Sequence, residues 1–206
     1  MSLSGVFGSR RISRICGIAL ALSAMFVVPA CWVSSINPLY DLGTFDHPHN
    51  DTDMVFDPSL IGSWTATDDK CTTLLTITAD DPFYDLRSSY FGEGCGEDKS
   101  HYHAILLKLD SHYFLDLSPV DGVCDMCLAM HEIFLANFDK TTFSVTPIDS
   151  DWLKRSLDAK KVTLATLEND SATLAASSKD LKAFCREFAE STEVFKPGST
   201  ETLKRK

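Results

Sequence analysis

From Leu60 onward, short segments of alternating polarity recur at intervals of about ten residues, and this rhythm restricts the fold more than any other feature. The segments are Leu60–Ala66, Thr72–Thr78, Tyr84–Tyr90, His101–Leu109, Tyr113–Leu117, His131–Phe138 and Thr142–Pro147, followed by Val162–Leu167 and Ala172–Ala175. In one of them Tyr113, Leu115 and Leu117 share a face while Phe114 and Asp116 take the other, the period of a strand buried on one side. Turn chemistry such as Asp80-Asp81-Pro82 separates neighbours. Many short strands joined by tight turns pair antiparallel and roll up to hide their edges. The expected fold is mainly β, an antiparallel up-and-down β-barrel of about eight strands.

Two segments break the alternation. Ile148-Asp149-Ser150 opens a short helix holding Trp152, Leu153 and Leu157. Ser177, with Asp180 three residues on, approximates a capping box, and Leu181, Phe184, Cys185 and Phe188 follow the stripe of a helix packed on a sheet. One helix therefore precedes the last strands and one lies near the C-terminus. The expected division is a signal peptide at 1–30, a tether and extended lead-in at 31–56, the barrel at 57–196 and a disordered tail at 197–206.

The first thirty residues have the layout of an export signal. Arg10, Arg11 and Arg14 precede an uncharged run from Ile15 to Ala30. Cleavage after Ala30 leaves Cys31 first; ordinary secretion uses the same cut, and Ile15 to Val33 uncut is long enough to span a bilayer. The formal charge is −10, and loss of residues 1–30 takes three arginines and no acid, moving it to −13. Such a body repels nucleic-acid phosphates and anionic headgroups alike. Any membrane attachment would come from the N-terminus.

Six cysteines follow the signal: Cys31, Cys71, Cys95, Cys124, Cys127 and Cys185. Cys71 and Cys95 stand symmetrically about the turn between two predicted strands, which sets them opposite each other at the open end of a hairpin within reach of a disulfide. Cys124-Asp-Met-Cys127 has redox spacing, yet it sits between two strands, where a loop staple or a pairing with Cys185 serves equally. A zinc site there would need Cys185 or His131 to complete it. Cys185 itself falls on the apolar stripe of the second helix.

His101 and His103 are two apart on a strand and face the same way. Such a pair holds zinc in some β-proteins when a third ligand joins it, and His112, His131, Asp116 and Glu132 are the candidates. The same face continues as Ile105, Leu107 and Leu109, so two strand-end histidines are the simpler expectation. No Gly-x-Ser-x-Gly elbow or phosphate-cradling loop is present.

Two resemblances add to this reading. Val28-Pro29-Ala30-Cys31 resembles the bacterial lipobox, which implies a lipid attached to Cys31. Leu60-Ile61-Gly62-Ser63-Trp64 resembles the Gly-x-Trp motif of lipocalins, which implies Gly62 and Trp64 at the base of a barrel. Spacing places no arginine against Trp64. Ile36-Asn-Pro-Leu-Tyr40, Phe56 to Trp64, Phe114 to Leu117 and Pro147 to Leu153 are similar to segments of uncharacterised bacterial lipoproteins, a likeness that implies no activity. The expectation is a lipid-anchored, non-enzymatic envelope domain without a cofactor, binding a small apolar ligand or a protein partner. The alternative is a zinc or thiol-redox protein using His101 and His103, or Cys124 and Cys127.

Overall fold

The computed structural model describes residues 33–41, 43–44, 47–48, 51–68, 70–80, 83–120, 130–167 and 170–206. Residues 1–30, expected as a signal peptide, and Cys31, Cys124 and Cys127 lie outside the described residues.

The lead-in carries three two-residue strands, β1 (Ser34–Ser35), β2 (Gly43–Thr44) and β3 (His47–Pro48). Seven strands follow in up-and-down order: β4 (Gly62–Asp68), β5 (Cys71–Asp80), β6 (Phe83–Gly92), β7 (Asp98–Leu109), β8 (His112–Pro119), β9 (His131–Phe138) and β10 (Thr142–Pro147). After helix α1 (Ser150–Asp158) come β11 (Thr166–Leu167), β12 (Asp170–Leu174), helix α2 (Ser178–Phe188) and β13 (Glu201–Arg205). The strands β4 to β10 pair antiparallel in sequence order, and β13 fits between β10 and β4. The result is a closed eight-stranded antiparallel barrel.

The last barrel strand is not one that the alternation marked. Residues 197–206, expected as a disordered tail, contain β13, whose residues pair with Thr142–Val145 on one side and with Trp64 and Thr65 on the other. Only Leu203 among Glu-Thr-Leu-Lys-Arg is apolar, so local pattern gives no sign of the strand; two open barrel edges recruit it. The expected strand at Val162–Leu167 shortens to β11 and the one at Ala172–Ala175 starts earlier as β12, both outside the barrel. There β12 runs parallel to β1, which pairs with the start of β9 at His131 and Glu132, where β10 has already parted from it.

Side-chain alternation divides the apolar residues into two cores. Trp64, Leu75, Ile77, Tyr84, Leu86, Leu106, Leu115, Phe134, Phe143 and Leu203 fill the barrel interior. The opposite faces of β7 to β9 carry Ile105, Leu107, Leu109, Phe114 and Ile133, which pack beneath both helices and the lead-in. Both helices start as their sequences dictate. Asp149 accepts from the Trp152 N–H at 2.6 Å, and Ser177 accepts from the Asp180 N–H at 3.2 Å. Leu181, Phe184 and Cys185 are the buried face of α2.

One end of the barrel is sealed around Trp64. A turn of 3-10 helix at Pro58–Leu60 seats Leu60 there, and the Trp64 indole N–H donates to the Leu60 carbonyl at 2.9 Å. Arg205 lies over the indole at 4.2 Å and donates to the carbonyls of Ser59, Ile61 (3.0 Å) and Lys140 (2.8 Å). The arginine that spacing did not place against Trp64 thus comes from the final strand. Gly62 has φ +143°, a conformation that favours glycine, and a Cβ there would also push the Arg205 guanidinium, 2.6 Å away, off its seat.

At the other end, Cys71 and Cys95 form a disulfide with Cα atoms 5.9 Å apart, as the hairpin spacing predicted. Gly92 stands against it, where a Cβ would meet the Lys70 carbonyl at 2.0 Å. The bond closes a loop with a sequence separation of 24. Replacing both cysteines with serine should lower stability by about 3 kcal/mol through the freed chain entropy of the unfolded state. A lower urea midpoint under oxidising conditions checks it; an unchanged midpoint would show that the hairpin needs no staple.

Candidate functional site

The outer face of the barrel carries an open cavity of about 350 Å³, lined by Tyr40, Asp80, Phe83, His103, Ile105, Asp116 and Ser118. Strand register builds most of it. Across the β7–β8 ladder Ile105 stands beside Asp116 and His103 beside Ser118, and equal parity turns all four outward. Asp80 and Phe83 come from either side of the β5–β6 turn, paired in the ladder there. Tyr40 arrives from the lead-in.

The lead-in is held firmly where it passes the groove. The Ile36 N–H donates to the Leu174 carbonyl at 2.9 Å, and the Asn37 amide to the Ala176 carbonyl at 2.9 Å. Asp116, almost wholly buried, accepts from the Leu39 N–H at 2.6 Å and pairs with His131 Nδ1 at 2.7 Å. Further along, Val55 donates to the Leu106 carbonyl at 2.9 Å, and Lys182 reaches Asp51 and Asp53 at 2.6 and 2.7 Å. Tyr40 is therefore fixed over the outer face, with its ring edge-on to His131. Burial, then the Asp116 charge, pushes the Tyr40 hydroxyl up to about 12, so it stays a neutral donor.

The two histidines singled out by spacing do share the outer face, their rings 6.1 Å apart. His101 meets Asp85 at 2.5 Å. Partial burial works against ionisation of Asp85, but the bonds from Arg87 and His101 prevail and hold its carboxyl below the usual carboxylate range. His103 lines the groove with Asp80 3.9 Å away. Of the four candidate completing ligands only Asp116 shares the groove with His103, and none joins the histidine pair. His131 and Asp116 pair with each other, His112 faces Glu190 at 3.9 Å, and Glu132 turns into the barrel by parity. Among the described residues no group of three or more His, Cys, Asp or Glu side chains is gathered to hold a metal ion. The thiols of Cys124 and Cys127, and Cys31 with its expected lipid, fall outside the described residues. Cys185 is a free, buried thiol whose pKa is driven well up by desolvation, the opposite of what a nucleophile requires.

Inside the barrel the space around Trp64 is taken up by its own side chains; Trp64, Tyr84, Phe143, Leu75 and Leu106 are each less than 2% exposed. Toward the end away from Trp64 two carboxyls point inward by strand parity, Glu132 on β9 and Glu201 on β13. Both Glu201 oxygens and one Glu132 oxygen are buried with no hydrogen-bond partner. Desolvation raises each to about 7.

The groove thus joins an apolar floor and aromatic walls to acceptors at Asp80, Asp116 and Ser118. Its chemistry suits holding a small molecule. Tyr40, Asp80, Phe83 and Ser118 were not picked out by spacing, because they meet only through register and the path of the lead-in. Tyr40 alone had a sequence signal, the Ile36-Asn-Pro-Leu-Tyr40 segment. No family model matches the chain, and no curated protein or solved structure does.

Proposed function

We propose that this chain is an exported bacterial lipoprotein, anchored through a lipid on Cys31, whose barrel works in the cell envelope as a binding domain rather than as an enzyme. The observation that carries the binding half is the outer-face groove: about 350 Å³, within the range of small-molecule sites, and roofed by a lead-in pinned to the barrel. The interior around Trp64 is filled by its own side chains, which favours the outer wall over the barrel base as the place for a ligand. The Cys71–Cys95 disulfide supports the export half, since such bonds persist in oxidising compartments. The basic and apolar N-terminal layout and the Val-Pro-Ala-Cys31 segment supply the anchor.

One experiment reads both halves. The full-length protein, recovered from the membranes of an expressing bacterium, is weighed by native and then denaturing mass spectrometry. The expected denatured mass lacks residues 1–30 and carries a diacylglycerol-sized addition that Cys31→Ala abolishes. The expected native mass is higher by a small molecule that falls away on denaturation and survives a chelator. A full-length unmodified mass would remove the lipoprotein reading, and an increment lost to the chelator would move the assignment to a metal protein.

A further inference from the structure

The lining of the groove says what kind of molecule it takes. It holds two carboxylates, Asp80 and Asp116, and neither lysine nor arginine. Arg87, which shares that outer face, is bound to Asp85 at 2.9 Å. Asp116 is buried, its oxygens taken by the Leu39 N–H and by His131, so it acts on the groove through its charge, whereas the Asp80 carboxylate is exposed there. Tyr40 and Phe83 contribute aromatic rings, whose faces attract cations. The chain's charge of −10 concentrates cations near its surface and repels anions. A carboxylate or phosphate ligand would place like charges a few ångströms apart in a half-enclosed site.

We infer that the groove binds a small organic cation, an ammonium borne on an apolar or aromatic body. The ammonium is held by Asp80, with the buried Asp116 charge adding to the attraction, and the body lies between Tyr40, Phe83 and Ile105. This assignment rests on the groove being the binding site, and the test separates the two claims.

Three probes of similar shape are titrated calorimetrically into the full-length protein at pH 8, where an ordinary imidazole is neutral: 2-phenylethylammonium, 3-phenylpropan-1-ol and 3-phenylpropanoate. The ammonium is expected to bind about tenfold tighter than the alcohol, with no heat from the carboxylate. Asp80→Asn removes one charge from a side chain that is 60% exposed, so the fold tolerates it. It should weaken the ammonium about fivefold and leave the alcohol unchanged. Tyr40→Leu should weaken both. Equal binding of ammonium and alcohol would overturn the cation assignment while the groove reading stands. No binding by any probe would overturn both, and an ammonium preference untouched by either substitution would place the cation elsewhere.

Discussion

A chain cut after Thr200 is expected to lose its cooperative unfolding transition. The six residues removed include the strand that fills the gap between β10 and β4. Without it both neighbours become open edges, with unpaired backbone groups facing the core side of a split barrel. Leu203, fully buried in the interior core, goes too, at a cost of roughly 2–3 kcal/mol. So do the ladder bonds to Thr142–Val145 and to Trp64 and Thr65, each worth about 1 kcal/mol net. Arg205 also leaves, exposing the indole of Trp64 and freeing three carbonyls that close the barrel base. Together these approach the whole stability of an ordinary domain, about 5–15 kcal/mol. Near-ultraviolet circular dichroism during thermal unfolding is the measurement. Thr202→Ala, at an outward position of the same strand, is the control and should melt like the parent. A truncated chain melting within a few degrees of the full one would mean that β13 decorates the barrel and does not close it.

Stability should fall as pH rises from about 4.5 to about 7, and Glu201→Gln should remove much of that fall. Desolvation inside the barrel favours the neutral carboxyl and raises Glu201 and Glu132 from 4.5 to about 7. Between those values the unfolded chain has released protons that the folded protein still holds, so each step up in pH favours unfolding. Above about pH 7 the loss is complete and the curve flattens. At about 1.4 kcal/mol per unit, each group contributes up to roughly 3 kcal/mol. Asp51 and Asp85, which lie below their ordinary values, add stability with rising pH, but below about pH 4 and so outside this window. Urea midpoints at pH 4.5, 6 and 8 provide the test. The parent should lose the most, Glu201→Gln and Glu132→Gln about half as much, and the double variant little. A parent midpoint that stays level would show that both carboxyls find water or a counter-charge inside the barrel.

Much of this architecture is legible along the chain. Seven of the eight barrel strands, both helices with their caps, and the Cys71–Cys95 bond follow from alternation, turn residues and spacing. These are local quantities, fixed by which face of a strand or helix a side chain takes and by how far a turn lets two residues part. His101 and His103 were rightly paired on one face by the same logic, although parity alone could not say that this face is the outer wall. Glu132 shows the other side of that limit. Its sequence position offers it as a ligand beside His101, yet it lies on the interior face, because relating two strands takes their register as well as their periods.

The eighth strand, the arginine against Trp64 and the groove belong to long-range pairing. Glu201 to Arg205 has little to bury alone and becomes a strand because two edges on either side of it need partners. Tyr40, Asp80, His103 and Asp116 come from four separated stretches and meet only because the barrel closes and the lead-in is fastened across it. Secondary structure and the disulfide are set by neighbours in sequence, whereas a binding surface made of distant residues exists only after closure has paid the entropy of bringing them together.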